Sequence, residues 1–385
     1  ATSVRPRLTG VYMHLPYCDV KCAYCDFFSI ARRHVDEDFW LRYRDRLLEY
    51  LREQFALLEA DTPKPVLASV FFGGGTPSRA PAFVIEAVLS AIKRSFGSQT
   101  NAVEVSAEAN PESLNDELTH AWLAAGVNRL SIGMQSRDAA VLKYLGRLYN
   151  EKAYATVLRR VRNLGFANIN VDLITGVPGQ SVRSTLQDLE FAVENGVTHI
   201  SLYQLTIEPA TLLKQRIESG MLQPPSDIRQ VRQMDAAIQF LAQQGFARYE
   251  ISNFARPGKT CRHNRLYWTG RPYLGLGVAA HMFTGKRRFF HERSLENYLR
   301  GQAPRHDSGA ALRDDLINAL RLKQRLPLTR ILGCFAPALH ARVLGEIQSA
   351  GEKGWLQKNK LWIALTDKGL KHTDSLLASL WQIAP

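Results

Sequence analysis

Short apolar runs alternate with longer amphipathic stretches through the first 245 residues of the chain. The apolar runs are rich in β-branched and aromatic residues, which is typical of buried strands. The stretches between them repeat apolar positions every three or four residues, which predicts helices. We expect the six strands at Val11–Leu15, Leu67–Phe72, Val103–Ala107, Arg129–Met134, Ile169–Ile174 and His199–Leu205. We expect four of the helices at Phe39–Leu58, Phe83–Phe96, Tyr154–Leu164 and Thr185–Glu194.

This alternation of strand and helix predicts a parallel sheet, because parallel strands are joined through helical crossovers. Six units are too few for a closed eight-stranded barrel. We therefore predict an α/β fold in which residues 1–245 form a partial (βα)6 TIM-like barrel. An open Rossmann-type sheet is the alternative.

The pattern changes after a polar, irregular segment at Gln302–Gly309. Helices followed by a two-stranded wing are expected there, which predicts an α+β winged-helix-like domain over residues 304–385. Residues 246–303 would form an extension packed on the barrel. The predicted elements are helices at Leu312–Leu322 and Ala338–Ala350, strands at Gly354–Lys358 and Leu361–Leu365 around Asn359, and a last helix ending near Leu380.

The composition is that of a globular protein. Of the 385 residues, 45% are hydrophobic, 22% are charged and five are Cys. These values exclude a disordered chain and a disulfide-rich secreted scaffold. No run approaches the roughly 18–20 apolar residues that a membrane-spanning helix needs. Because residues 1–10 lack the apolar segment of a signal peptide, we expect a cytoplasmic protein.

The net charge of +13 suggests an anionic partner, and most of it falls in one segment. Residues 256–306 hold eleven Lys and Arg against two Glu, together with four of the ten His. Aromatic residues are interleaved with these cations, which suits a planar ligand that carries carboxylates, or stacked nucleobases. A solvated, Arg-rich surface is the plainer interpretation.

Polar or chemically special residues follow the predicted strands at their carboxyl ends. Three Cys follow the first strand and Gly73–Pro77 follows the second, while Glu108, Gln135 and Asp172 lie at the next three. Parallel α/β folds build their sites at this edge of the sheet. We therefore expect these residues to share one site.

Cys18, Cys22 and Cys25 form a CxxxCxxC motif. Structural zinc usually takes four ligands and favours C-x₂-C pairs, and no fourth ligand is near these three in the sequence. Three thiolates can instead hold three irons of a [4Fe–4S] cluster and leave the fourth iron open. A zinc site and three packed thiols remain the alternatives.

The chain resembles the radical S-adenosylmethionine (SAM) superfamily, whose barrel carries CxxxCxxC after the first strand and a glycine-rich segment after the second. Further motifs narrow the resemblance to the coproporphyrinogen-dehydrogenase-like branch and, within it, to the HemW family of heme chaperones. These motifs are VYMHLPYCDVKCAYCDFFS, FFGGGTPS, EANPE, NRLSIGMQS, LGRLYN, NVDLITGVPGQ, SLYQLTIEP, YEISNFARPG and HNRLYW.

The resemblance implies a ligand set for each cofactor. The three cysteines would bind a [4Fe–4S] cluster, and SAM would chelate its open iron. Residues at the matching SAM positions are Tyr12, Gly74, Gly75, Thr76 and Glu108, with Gln135, Arg147, Asp172 and Tyr24 at positions that hold a second SAM in the porphyrinogen dehydrogenases.

The resemblance also implies that heme is bound as cargo and delivered to acceptor proteins such as membrane-associated respiratory enzymes. HNRLYW, residues 263–268, separates the chaperones from the dehydrogenases. His263 is the hypothetical iron ligand, because imidazole is a common axial ligand, and Tyr267 and Trp268 would flank the porphyrin. The basic segment would pair with the heme propionates, and a homodimer is compatible with the sequence.

Two other functions remain open at this stage. An oxygen-independent coproporphyrinogen III dehydrogenase shares most of the motifs, but Phe27 stands where that subfamily has a further Cys, and only about ten residues precede the first strand. A nucleic-acid-binding or RNA-modifying radical SAM protein would account for the charge and the winged-helix-like tail. No pattern of groove-reading residues supports it, so no nucleic-acid partner is expected.

Overall fold

A computed structural model describes residues 7–97, 103–147, 151–307 and 316–383 of the chain. Its main feature is a twelve-stranded sheet in the order β14-β13-β12-β11-β1-β4-β5-β6-β7-β8-β10-β9. The strands of this sheet are β1 Arg7–Leu15, β4 Pro65–Gly74, β5 Glu104–Ala109, β6 Arg129–Gln135, β7 Ile169–Thr175, β8 His199–Gln204, β9 Ala247–Arg248, β10 Asn253–Ala255, β11 Tyr273–Leu276, β12 His281–Phe283, β13 Arg288–Phe290 and β14 Arg305–Asp307. A separate parallel pair consists of β2 Tyr17–Cys18 and β3 Ile30–Ala31.

Helices connect these strands. They are α1 Glu37–Asp61, α2 Ala82–Phe96, α3 Asp116–Ala125, α4 Ala139–Leu145, α5 Glu151–Asn163, α6 Val182–Glu194, α7 Leu212–Glu218, α8 Asp227–Gln243, α9 Arg262–Trp268 and α10 Leu295–Leu299, with a 3₁₀ turn at Pro77–Arg79.

Seven adjacent strands of the sheet are parallel, from β11 through β1 and β4 to β8. Six of them are the strands predicted from the apolar runs, so the α/β prediction is confirmed. Every residue of β6 is buried, as expected for a parallel sheet covered on both faces. The seventh strand, β11, was not predicted, and it pairs with β1 in the register Gly10 with Tyr273.

The basic segment forms one end of this sheet. From β11 onward the chain turns back through β12, β13 and β14, which pair antiparallel in succession. Because β14 includes Arg305–Asp307, the sheet continues past residue 303, where the extension was expected to end.

The C-terminal part has its own small core. Residues 316–319 are helical (α11), and the predicted helix residues 312–315 lie outside the described part of the chain. A three-stranded antiparallel sheet and further helices follow, so one strand joins the two that the sequence predicts. The elements are β15 Leu326–Pro327, α12 Leu328–Leu332, a 3₁₀ turn at Pro337–Leu339, α13 His340–Glu352, β16 Leu356–Lys358, β17 Trp362–Leu365, α14 Asp367–Lys371 and α15 Thr373–Trp381.

None of the helices in the described ranges is long and apolar enough to cross a membrane. The longest, α1, is amphipathic and packs one face on the sheet through residues such as Trp40, Tyr43 and Leu47. Asp36 caps its start by accepting a hydrogen bond from the Phe39 amide at 2.7 Å.

Candidate functional site

A large cavity opens at the carboxyl ends of the parallel strands. Its volume is about 1260 Å³, larger than the roughly 300–1,000 Å³ of a pocket for one small molecule. All three motif cysteines line it, and so does each residue at a predicted SAM position. The expectation that the strand ends build one site therefore agrees with the geometry.

The cysteine loop, residues 16–30, is held in place by its backbone. The amide of Ile30 donates to the Pro16 carbonyl at 2.7 Å, and β2 pairs with β3 across the two ends of the loop. In the middle of the loop, the Ala23 amide donates to Leu145 and its carbonyl accepts from Leu213. The loop is therefore anchored to α4 and α7 as well as to the sheet.

The thiols of this loop interact electrostatically with one another. Burial is the main cause that raises the pKa of Cys25, to about 11, and the neighbouring Cys22 and Cys18 raise it further. Burial also raises the pKa of Cys18, although the Thr76 hydroxyl donates to its sulfur at 3.3 Å and favours the thiolate. The raised pKa values make it costly to ionise these neighbouring thiols without a cation beside them, and the iron of an iron–sulfur cluster would supply one.

Within the described residues, no three His, Cys, Asp or Glu side chains are arranged around a single metal ion. The sulfurs face the cavity from separate positions of the loop. This donor set of three cysteines, with a hydroxyl donor on one sulfur, fits a [4Fe–4S] cluster with one open iron.

The glycine segment after β4 supports the start of the cysteine loop. A Cβ on Gly75 would lie 2.7 Å from the Tyr17 carbonyl oxygen and 2.9 Å from that of Leu15. The Gly75 and Thr76 amides donate to these same two carbonyls, each at 2.8 Å. Gly74 has φ +111° and a Cβ there would meet the His14 ring at 2.8 Å. The segment is glycine-rich because it packs directly against the strand that leads into the cysteines.

Two carboxyl groups lie at the inner end of the cavity. Burial raises the pKa of Glu108 to about 8, and the nearby Asp172 raises it further. Burial likewise raises the pKa of Asp172, whose oxygens accept hydrogen bonds from Ser131 and Asn170, each at 3.0 Å. A protonated carboxyl beside a hydrogen-bonded one can both donate to and accept from a polar ligand such as a ribose or an amino acid.

A bulge aims Gln135 at the same space. The pairing of β6 with β7 shifts register between Gly133 and Gln135, and Gln135 has φ +64°, a left-handed conformation uncommon for this residue type. Strain of this kind is typical of functional sites. Nearby, the Arg147 guanidinium donates to the Asn110 side chain at 3.1 Å and interacts with Tyr24.

Helix α9, which carries the HNRLYW motif, is fixed to the sheet by a carboxylate. Glu104 on β5 accepts hydrogen bonds from the Arg262 amide at 3.0 Å and the His263 amide at 3.2 Å. Acidic groups stabilise helix N-termini in this way. Tyr267 and Trp268 then line the outer part of the cavity, where the Arg321 guanidinium lies 5.1 Å from the Trp268 ring.

The structure places His263 away from the cavity. Its ring is buried, with Nδ1 in a 2.8 Å hydrogen bond to the Ser69 hydroxyl and Nε2 in a 2.7 Å hydrogen bond to the Tyr267 hydroxyl. Burial lowers the pKa of His263 to about 3. With both nitrogens occupied, this geometry opposes iron ligation by His263 and makes it a support for Tyr267.

The cationic residues of the basic segment have different surroundings. Arg271, Arg288 and Arg293 line the cavity. Arg262 and Arg265, which belong to the same segment, are exposed on α9. Elsewhere in the segment, Arg287 pairs with Asp61 at 2.9 Å, and Arg300 pairs with Glu296 at 2.6 Å.

Several cavity residues were not predicted as site residues. Asn110, within EANPE, donates to the Thr76 hydroxyl at 3.2 Å and so joins the glycine segment to Arg147. His14 bonds to the Tyr12 hydroxyl and to the Phe28 carbonyl. The outer wall adds His281, Phe283 and Phe290. Asn110 and His14 lie inside motifs that mark the family, and this could have identified them from the sequence. The residues of the outer wall come together through strand pairing, which no motif reveals.

Comparisons with known proteins point in one direction. The model of the Radical SAM superfamily matches residues 12–192. The heme chaperone HemW of Mycobacterium tuberculosis is 35% identical over 334 residues, which cover 84% of this chain and 84% of the relative. The heme chaperone HemW of Buchnera aphidicola is 31% identical over 379 residues, which cover 96% and 97%.

Among solved structures, the Escherichia coli coproporphyrinogen III oxidase HemN, described as a radical SAM enzyme, matches with a TM-score of 0.81. The match covers 97% of this chain and 90% of that one, at 22% sequence identity. This likeness establishes the fold, with its parallel-dominated sheet, but a shared fold does not establish a shared reaction.

Proposed function

The chain belongs to the HemW family of heme chaperones within the radical SAM superfamily, and from this premise we propose that it binds heme beside a [4Fe–4S] cluster and SAM. The observation that carries the proposal is one continuous cavity with two chemically different halves. We call the lining by cysteines, glycines and carboxyl groups the inner half, and the lining by the aromatic rings and arginines of residues 267–293 the outer half.

The inner half would hold the cluster and SAM. Cys18, Cys22 and Cys25 would bind three irons, and the cluster with SAM would supply one-electron chemistry at the open iron. The glycine segment leaves backbone groups accessible beside Thr76 and Tyr12. Gln135, Arg147, Asp172 and Tyr24 would bind polar groups of SAM further along the cavity.

The outer half would hold the heme. Tyr267 and Trp268 offer flat apolar surface, and the three cavity arginines Arg271, Arg288 and Arg293 offer partners for the two propionates. The cavity exceeds what one small ligand fills, so heme and SAM would be accommodated together. Delivery of the heme to a heme-requiring acceptor at the inner side of a membrane, from a cytoplasmic location, completes the proposal.

Anaerobic reconstitution tests this function. The protein is loaded with iron and sulfide, its iron content is measured, and heme binding and coproporphyrinogen III turnover are assayed separately. We expect a Soret difference spectrum that saturates at a fixed heme ratio, without turnover of the porphyrinogen. Turnover without heme binding would contradict the proposal and favour a dehydrogenase.

A triple Cys18→Ala, Cys22→Ala, Cys25→Ala variant separates the two halves. It should lose the cluster and SAM binding and keep most of the heme wall, because Glu104 anchors α9 and strand pairing anchors the β12–β13 hairpin. Arg293 is the exception, since it donates to the Asp26 carbonyl in the cysteine loop at 2.7 Å. A Cys261→Ala, Cys334→Ala double variant is the matched control, since both thiols lie outside the cavity lining. It should keep cluster, SAM and heme.

A further inference from the structure

The histidines around the cavity differ in how their ring nitrogens are bonded. His14 has both nitrogens in hydrogen bonds, to the Tyr12 hydroxyl and the Phe28 carbonyl. His263 also has both occupied. His291 is buried, and its Nε2 lies 2.9 Å from the Gln54 amide nitrogen. In the described ranges of the chain, the His281 ring makes no hydrogen bond, although it lines the same cavity.

The position of His281 is fixed by the sheet. His281 begins β12 and is paired with Phe290 of β13, and the two rings stack with centroids 5.7 Å apart at 26°. Its backbone approaches β11 so closely that a Cβ on Gly275 would lie 1.9 Å from the His281 carbonyl oxygen. The imidazole is therefore exposed on a rigid strand and is not at a loop tip.

The surroundings of His281 suit a metalloporphyrin. Phe283 and Phe290 provide apolar contact beside it, and Arg288 and Arg293 line the same wall. Partial burial of the ring against the cavity wall lowers the pKa of His281, Asp307 raises it, and the two arginines lower it again. The neutral imidazole, which is the form that binds iron, is thus favoured at neutral pH.

We propose that His281, through its exposed imidazole on the outer cavity wall, is the protein ligand of the heme iron, with Arg288 and Arg293 as neighbours for the propionates. This assignment rests on the proposed heme binding and names the ligand within it. His263 then acts as a positioning residue, because it holds the Tyr267 hydroxyl at 2.7 Å from the buried side.

The test compares His281→Ala with His306→Ala in the cluster-loaded protein. His306 is the matched control, because it is also exposed, lies on the neighbouring β14, and packs edge-on against Phe289 at 5.4 Å, on the opposite face of the hairpin. Hemin is titrated into each protein, and binding is measured from the Soret difference spectrum. The coordination of the ferric iron is measured by electron paramagnetic resonance.

Loss of a residue that hydrogen-bonds to a metal ligand weakens metal binding about 10- to 100-fold. We expect His281→Ala, which removes the ligand itself, to weaken hemin binding by at least as much. We also expect the ferric heme signal to differ from that of the wild type and to be restored when free imidazole is added. The His306→Ala variant should match the wild type, and iron content should stay the same in all three proteins.

The outcomes separate this inference from the function on which it rests. A wild type that binds hemin, with an unchanged signal and affinity in His281→Ala, would overturn the ligand assignment and leave the heme function standing. A wild type that binds no hemin would overturn both. As a second variant, His281→Met replaces one ligand type by another, so it should retain binding with an altered spectrum; a spectrum identical to that of the wild type would count against His281.

Discussion

Single residues in this cavity have properties that the sequence alone does not reveal. Tyr267 and Trp268 of the HNRLYW motif line the cavity, and their contact with a porphyrin stays a prediction. The motif does not show that His263 points the other way, because a motif identifies residue types and not their hydrogen-bond partners. His281 drew no attention in the sequence, since its role depends on a strand pairing across the hairpin.

The raised pKa of Glu108 leads to a pH-dependent prediction. The folded protein holds this carboxyl protonated up to about pH 8, whereas the unfolded chain ionises it near its ordinary value of 4.5. The folded state therefore binds more protons between these values, and stability falls as pH rises through that window. Each pH unit there costs up to about 1.4 kcal/mol.

We expect Glu108→Gln to remove this loss, because the amide keeps the shape and cannot ionise. Urea midpoints of the cofactor-free protein and the variant should be similar near pH 5 and diverge towards pH 8, with the variant the more stable. Glu86→Gln, on the helix α2, is the control and should show no such divergence. Parallel curves for Glu108→Gln and wild type would refute the argument.

The sequence predicted the individual strands and helices more accurately than the pairing of strands in the sheet. Continuous apolar runs identify the six central strands, because strands of a parallel sheet are buried on both faces. A repeat of apolar residues every three or four positions identifies helix α1, because only one of its faces is buried. Strand β11 was missed, since YLGL is short and contains a glycine, and its partner β1 lies far away in the sequence. Pairing between distant segments is what the local pattern cannot express.

The glycine segment gives a prediction about the cysteine loop. Gly75→Ala would place a Cβ 2.7 Å from a backbone oxygen of Tyr17, so the loop start must shift. Overpacking of this kind costs about 1–3 kcal/mol. We expect the variant to fold and to load less iron and sulfide than the wild type.

Gly345→Ala on α13 is the matched control. A Cβ there meets nothing within 4 Å, and alanine favours a helix interior over glycine by about 1 kcal/mol. This variant should be slightly stabilised and should load a full cluster. If Gly75→Ala also loaded fully, the segment would not support the loop in the way the contacts suggest.

Across the whole molecule, the charge of the basic segment is divided between the cavity and the outer surface. The cavity arginines, Arg271, Arg288 and Arg293, are expected to meet the heme carboxylates. Replacing all three by Gln should weaken heme binding about tenfold, from roughly 0.5 kcal/mol for each partly exposed contact. The effect should shrink as salt is raised, because the contacts are screened.

The control removes the same charge elsewhere. Arg262, Arg265 and Lys286 are exposed and lie outside the cavity lining, so their replacement by Gln should change heme affinity little. Equal losses in both triple variants, measured by hemin titration at the same ionic strength, would show that net charge alone attracts the ligand. The control variant should keep the iron content of the wild type, whereas the iron content of the cavity variant is measured alongside, because Arg293 donates to the Asp26 carbonyl in the cysteine loop at 2.7 Å.

The pairing of β11 with β1 also orders events during translation. The ribosome produces the three cysteines early, yet one edge of β1 stays open until Tyr273–Leu276 has emerged to cover it. The hairpin that carries His281 follows only after that. A nascent chain therefore contains the three cysteines well before the residues of β11 to β13 have been made. The cavity is therefore complete only after most of the chain has been synthesised, because strands β12 and β13 supply part of its wall.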